Sequence, residues 1–263
     1  MNYEVNSRNW PSFYSRNTEE LNQPYIYLTI KSLIKKCGNS FNICLINDTS
    51  LPNIIPDWNI DMSSVPNPIK DKLRSLAKAK ILKYYGGLFI PPSFLCLKNL
   101  KEIFYLKVNR NMICLGELPN DGISSSVSET IVSDNLIGSQ KNNPIINEYV
   151  NYLEQMISND YTAESKFEGS LDRWLNKQIK IGNANAIKSN LLGTKDEDGK
   201  LVRIEDLIGS SFVNFDCEAL GIYIPQNELL KRIDYQWFNR LNVKQIMESD
   251  TTLGKLFITS YNN

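Results

Sequence analysis

Acid–base or nucleophilic chemistry in this chain must run on Asp, Glu, Lys, Tyr or Cys, because its 263 residues contain no histidine. That absence removes the usual general base near neutral pH, the Ser-His-Asp type of triad and the commonest zinc ligand. The five cysteines, Cys37, Cys44, Cys96, Cys114 and Cys217, include no CxxC pair. Cys44, Cys96, Cys114 and Cys217 stand in apolar surroundings, so they read as reduced, buried side chains of a cytoplasmic-type reducing compartment. GTKDEDGKL (193–201) imitates a phosphate loop but puts five residues between its glycines. Leu201 also stands where Ser or Thr would reach magnesium, so the segment reads as a solvated turn. The aromatic cluster DYQWF (234–238), between Arg232 and Arg240, has the side chains of a sugar-stacking platform. A C-terminal helix packed through Trp237 is the more economical account.

One stretch resists ordinary packing: YYGGLFIPPSFLCLKNL, residues 84–100. A helix end meets two glycines, an apolar strand begins at Leu88, and Pro91-Pro92-Ser93 stops it at once. The elements around it are legible. A first helix starts near Asn22-Gln23-Pro24 and stops at Cys37-Gly38, with Ile26, Ile30, Leu33, Ile34 and Cys37 on one face. FNICLI (41–46) reads as a buried strand closed by the turn Asn47–Ser50. A second helix is capped at Asn67-Pro68 and ended by Gly86. It carries the stripe Leu73, Leu76, Ala77, Ile81 and Tyr84, with Arg74, Lys78, Lys80 and Lys83 facing solvent. GGLFI reads as a central strand, and strands are also expected in 111–117 and 128–140. Asn143-Pro144 opens a third helix with the stripe Ile146, Tyr149, Val150, Leu153 and Ile157. Past residue 160 the signals weaken to a hairpin turn at Asp198-Gly199 with LVRIE as one arm. Alternating strands and helices predict an α/β layer fold with a mainly parallel sheet.

The segment from Pro68 to Leu100 resembles a sugar-transferase family that includes bacterial capsule-synthesis enzymes and Golgi mannosyl- and galactosyltransferases, with versions in large DNA viruses. The family signature is serine-aspartate, an arginine a few residues on, leucine, tyrosine, Gly-Gly, a short strand and Asp-x-Asp. The resemblance extends from about Gln23 through Ser158: FNICLINDTS looks like the family's second strand and turn, and LIGSQKNNPIINEYV like a later strand and helix. It implies a GT-A-like (Rossmann-like) fold with a mainly parallel central sheet flanked by helices, a nucleotide-sugar donor, and manganese or magnesium. The whole chain, 1–263, is then one domain, with 1–158 the nucleotide-sugar half and 159–263 an acceptor-side elaboration.

At the chemistry-bearing positions the chain departs from that pattern. Counting from Gly86-Gly87, Asp-x-Asp falls on Pro91, Pro92 and Ser93; the upstream aspartate falls on Ser75 and the arginine on Lys78. The family's proline-led first strand has no counterpart before Trp10. A hard divalent cation needs anionic oxygen ligands to bridge it to a diphosphate, and proline offers neither ligand nor N–H. Lysine keeps the charge of arginine but not its bidentate fork. No metal site is therefore expected, and manganese or magnesium only if distant acids rebuild one. The expected function is a degenerate transferase, a non-catalytic structural, partner-binding or glycan-binding component of a larger assembly, which the viral relatives make a virion-associated one. The alternative is a metal-independent transferase whose basic side chains, Lys78 among them, face the diphosphate, with Asp172 or Glu117 as base.

Bulk properties narrow the partners. Lys and Arg total 29, matching 29 Asp and Glu, which argues against general attraction to nucleic acid or anionic membrane. The basic face of the second helix carries no interleaved aromatics suited to stacking bases. The N-terminus lacks the apolar core of a signal peptide, and no apolar run reaches membrane-spanning length.

Overall fold

The computed structural model describes residues 23–66, 69–119, 130–158 and 170–262. The expected cap at Asn67-Pro68 and the comparison before Trp10 lie outside them. Helix α1, Pro24–Cys37, has proline in its first turn, where the ring removes an N–H that would have no intrahelical partner. Its buried face differs from the expected stripe: Tyr25, Leu28, Thr29 and Ser32 turn inward and Ile34 is exposed. The reason is polar. Thr29 Oγ1 donates to the Pro92 carbonyl and Ser32 Oγ accepts from the Cys96 N–H, which draws the hydroxyl side of the helix onto the strand beside it.

FNICLI is the clearest correction among the early elements. It joins no strand among the described residues, and Leu45 is 68% exposed. Phe41 and Ile43 pack on one apolar cluster and Ile46 on another, so the run is anchored at its ends rather than buried along its length. The turn after it is as expected: Asn47 Oδ1 accepts from the Ser50 N–H, capping a short 3₁₀ turn before helix α2, Leu51–Ile54.

Helix α3, Ile69–Tyr85, buries Leu73, Leu76, Ala77 and Ile81 as its stripe predicts. Its basic side chains do not simply face water. Arg74 pairs with Asp48, Lys78 with Asp134 and Lys80 with Glu154. Gly86 ends the helix at φ +69°, and a Cβ there would lie 2.6 Å from the Lys141 backbone nitrogen, so only glycine fits.

Strands β1 (Gly87–Phe89) and β2 (Phe94–Cys96) precede helix α4 (Lys101–Lys107), β3 (Ile113–Pro119), β4 (Thr130–Ser139) and helix α5 (Pro144–Ser158). Asn143 caps α5 through its Oδ1 and the Ile145 N–H. Helix α6 (Ser170–Lys180) then leads to β5 (Ala184–Ile187). The four-stranded sheet has the order β1-β4-β3-β5 and is mixed: β3 and β5 are parallel, while β4 runs antiparallel to β1 and to β3. The expectation of a mainly parallel sheet does not hold for the described strands. Only residues 120–129 separate β3 from β4, fewer than the dozen or so of a helical crossover, so the two pair antiparallel. GGLFI is correspondingly not a central strand of this sheet: β1 pairs with β4 alone among the described strands and is half-buried.

Beyond the 3₁₀ turn Ser189–Leu192, Gly199 turns the chain at φ +79° between the bridged residues Lys195 and Leu201. Helix α7 (Ile204–Ile208) occupies the end of the expected LVRIE arm. Strand β6 (Gly221–Tyr223) pairs antiparallel with β2 in a second, two-stranded sheet. Helices α8 (Gln226–Lys231), α9 (Gln236–Arg240), α10 (Val243–Glu248) and α11 (Thr252–Asn262) complete the described chain. One apolar core joins α3, α5 and α6 to the main sheet; another joins α1 and β2 to β6 and the late helices. No described helix is long and apolar enough to cross a membrane.

Candidate functional site

Pro91-Pro92 lies where the chain passes from one sheet to the other, since β1 pairs with β4 and β2 with β6. A strand leaving one ladder for another would strand an N–H donor at the corner, and proline has none to strand. The turn's oxygens already have partners. The Pro91 carbonyl accepts from the Phe94 N–H at 3.0 Å and that of Ser93 from the Ile224 N–H at 3.1 Å. The Pro92 carbonyl accepts from Thr29 Oγ1 at 2.5 Å. Ser93 is 2% exposed. A divalent cation prefers several oxygens, some of them anionic, at a water-accessible place, and this turn does not fit one. Among the described residues no three His, Cys, Asp or Glu side chains gather as a metal-holding group.

The polar chemistry lies elsewhere, between the main sheet and helices α3, α5 and α6. Its centre is Asp134, which the sequence reading did not single out. On β3 the partners step from Leu115 to Gly116, while on β4 they step from Ile137 to Ser133, so Asp134, Asn135 and Leu136 bulge out of register. Bulges re-aim side chains. Lys78 Nζ lies 2.9 Å from Asp134 Oδ2 and donates to the Asp134 carbonyl at 3.0 Å and to Asn135 Oδ1 at 3.4 Å. Both charged side chains are largely buried, at 20% exposure for Lys78 and 12% for Asp134. Tyr149 Oη donates to Asp134 Oδ2 at 3.4 Å, and the Tyr149 ring stacks on Trp174 with centroids 4.8 Å apart.

Burial alone would raise the Asp134 carboxyl. The Lys78 ammonium, a hydrogen bond from Ser75 and the charge of Lys72 outweigh it and hold the group below its ordinary value. Burial pushes the Tyr149 phenol well up, and the Asp134 anion adds to it. Asp172, on α6, is raised first by burial and then by the Asp134 anion, against Lys72 and Arg173.

Three residues expected from sequence, Ser75, Lys78 and Asp172, thus interact with one carboxylate. Glu117 is engaged elsewhere: its carboxylate accepts from the Ser189 N–H at 3.0 Å and hydroxyl at 3.1 Å, capping the 3₁₀ turn. Gly86 ends α3 and Gly87 starts β1, both at positive φ. The sequence signal that could have revealed Asp134 is the Asp-Asn pair interrupting the strand pattern of 128–140. Two further expectations change. Phe238, fully buried, anchors α9, while Trp237 is 44% exposed. Cys44 and Cys217 are exposed, while Cys37, Cys96 and Cys114 are buried.

Fold and site together define a mixed α/β protein with a second small sheet, an inter-sheet proline turn and a buried lysine–aspartate cluster. Comparison with protein-family models, curated proteins and solved structures yields no match.

Proposed function

We propose that the protein is a GT-A-like, glycosyltransferase-like scaffold without the metal-binding carboxylates, acting as a non-catalytic component that contacts a protein partner or a glycan in a larger assembly. The observation that carries this reading is the Pro91-Pro92-Ser93 turn. Where the resembled family carries cation ligands, this chain has two prolines and a buried serine whose carbonyls are hydrogen-bonded to Phe94, Thr29 and Ile224. The order of helix, Gly-Gly, short strand and turn supports the scaffold; the missing ligands support the loss of donor chemistry.

The convergence of Ser75, Lys78 and Asp172 on Asp134 favours a second reading, metal-independent sugar transfer. Against it, the three N–H bonds of Lys78 have three acceptors inside the protein, two on Asp134 and one on Asn135. A lysine so matched offers little to a diphosphate.

Calorimetric titration of the full chain with uridine and guanosine diphosphates and their sugars, with and without manganese, tests the choice. No saturable heat is expected in any combination. Binding without metal would move the assignment to the metal-independent enzyme. Manganese-dependent binding would require a set of acids other than the turn.

A further inference from the structure

We propose that Cys37 and Cys96 form a modification site, a thiol pair that closes reversibly into a disulfide under a two-electron oxidant such as hydrogen peroxide. Cys37 is the last residue of α1 and Cys96 the last of β2, and their Sγ atoms lie 3.8 Å apart. Closure therefore needs an approach of roughly 2 Å, within reach of side-chain rotation and a small shift of the helix end. The Cys96 side is held firmly: its N–H donates to Ser32 Oγ and its carbonyl accepts from Ser260 Oγ. On the Cys37 side α1 ends, the Cys37 carbonyl accepts from the Ser40 and Phe41 N–H groups, and the next two residues, Gly38 and Asn39, are exposed. Opening of that last turn admits a small oxidant to an otherwise buried pair.

The chemistry has a direction. The Cys96 thiol, hydrogen-bonded to Cys37, lowers the Cys37 thiol to about 7 against burial, and the Leu100 N–H adds to the effect. The same contact and burial push the Cys96 thiol up. Cys37 lies beside the exposed Gly38 and Asn39, which give an oxidant its route, and with its lowered thiol it takes the part of the nucleophile. Its thiolate attacks one peroxide oxygen, the O–O bond breaks, and hydroxide leaves and is protonated to water, giving a sulfenic acid. Cys96 sulfur then attacks Cys37 sulfur; the S–O bond breaks, and the Cys96 proton leaves with the departing hydroxyl as a second water. Two thiols are oxidised by two electrons and one peroxide is reduced to two waters. The product pins α1 to β2 across the chain that contains α3 and β1. In a reducing compartment such a pair serves as a transient sensor rather than a permanent staple.

The test uses the full chain with Cys44→Ser and Cys217→Ser, which removes the exposed thiols. After reduction it is treated with hydrogen peroxide and digested without reductant. The expected result is a cross-linked peptide pair joining Cys37 to Cys96, an intact-mass loss of about 2 Da, and a thermal midpoint raised by roughly 5 °C or more, all reversed by dithiothreitol. Adding Cys37→Ser should abolish all three. The proposal is overturned if Cys37 and Cys96 both remain alkylatable under oxidant that modifies Cys44 and Cys217 in the unsubstituted chain. It is equally overturned if Cys37 stops at sulfinic acid or links to Cys114.

Discussion

Replacing Lys78 with methionine separates a lysine that holds the fold together from one kept for a ligand. Methionine preserves most of the aliphatic stem, so the change removes the charge and its three donors while disturbing packing little. The pair partner Asp134 is 12% exposed and Lys78 20%, which places the interaction close to the buried limit. Breaking a buried pair from one side costs about 3–5 kcal/mol, because the remaining charge stays desolvated without compensation, whereas an exposed pair contributes about 0–1 kcal/mol. The residual exposure puts Lys78→Met near the lower figure, about 3 kcal/mol. In urea this moves the unfolding midpoint down by about 1 M for a chain of this size. The double variant Lys78→Met/Asp134→Asn removes both charges and should be little worse than either single change, a coupling of about 2 kcal/mol. Equilibrium urea unfolding of the four proteins, followed by tryptophan fluorescence and far-UV dichroism in parallel, supplies the cycle. A single-variant loss below about 0.5 kcal/mol, or strictly additive effects, would refute the reasoning. That outcome would also revive the metal-independent transferase, since residues held for a ligand commonly cost an empty protein stability.

Acid titration and two glycine substitutions extend the test. The folded Asp134 carboxyl lies below its ordinary value, so its contribution is present above that value and lost as pH falls through the folded one; Asp134→Asn should flatten the decline between about pH 5 and pH 3. Asp172 has the opposite sign. Raised in the folded protein, it contributes stability at low pH that is lost as pH rises through its folded value, so Asp172→Asn should stabilise the fold at neutral pH by about 0.5 kcal/mol or less after screening, with a correspondingly higher urea midpoint. A destabilising Asp172→Asn at neutral pH would contradict this. Gly86→Ala meets both φ +69° and the Lys141 nitrogen at 2.6 Å, whereas Gly87→Ala meets φ +109° in open space. The first should cost about 3 kcal/mol or more and the second about 1–2 kcal/mol in the same assay, and the reverse order would show that the Gly86 contact relaxes.

What the sequence made legible was local. Helices α1 and α3 follow from a proline or asparagine at one end, lysines or a glycine at the other, and apolar spacing between; α5 follows from Asn143-Pro144 and its apolar spacing. The strands β3 and β4 were legible as runs, but their antiparallel pairing was not, because direction depends on the connection rather than on the strand. FNICLI failed for a related reason: an apolar run states a preference for burial, yet a strand exists only where a neighbour supplies a ladder. The Lys78–Asp134 contact spans 56 residues and depends on a bulge, which no spacing rule encodes. Asp172 reaches the same cluster from α6, whose placement against the sheet is a tertiary fact. Trp237 and Phe238 show the limit at its finest, since adjacent aromatics on one short helix divide between solvent and core according to where α1 lies; Phe238 packs on Tyr25 with centroids 5.9 Å apart.

The proline turn fastens the two sheets where carboxylates would not. Carboxylates at the end of a strand repel one another and need water or a cation, so they contribute little to holding two sheets together. Prolines at the same corner remove N–H groups that would otherwise be orphaned, and they lower the entropy of the unfolded chain. The Ser93 carbonyl then joins β2 to the residue following β6, and the Pro92 carbonyl ties the corner to α1. The corner's carbonyls are thus all engaged in contacts within the protein. The same logic applies to Lys78, whose charge is matched by an aspartate of the chain rather than by a phosphate from outside. Placing aspartate at Pro91 and Ser93 would not by itself create a metal centre, because the Ser93 position is buried and its carboxylate would enter apolar surroundings beside Phe94 and Leu95. Ser93→Asp is expected to destabilise the fold before it recruits a cation.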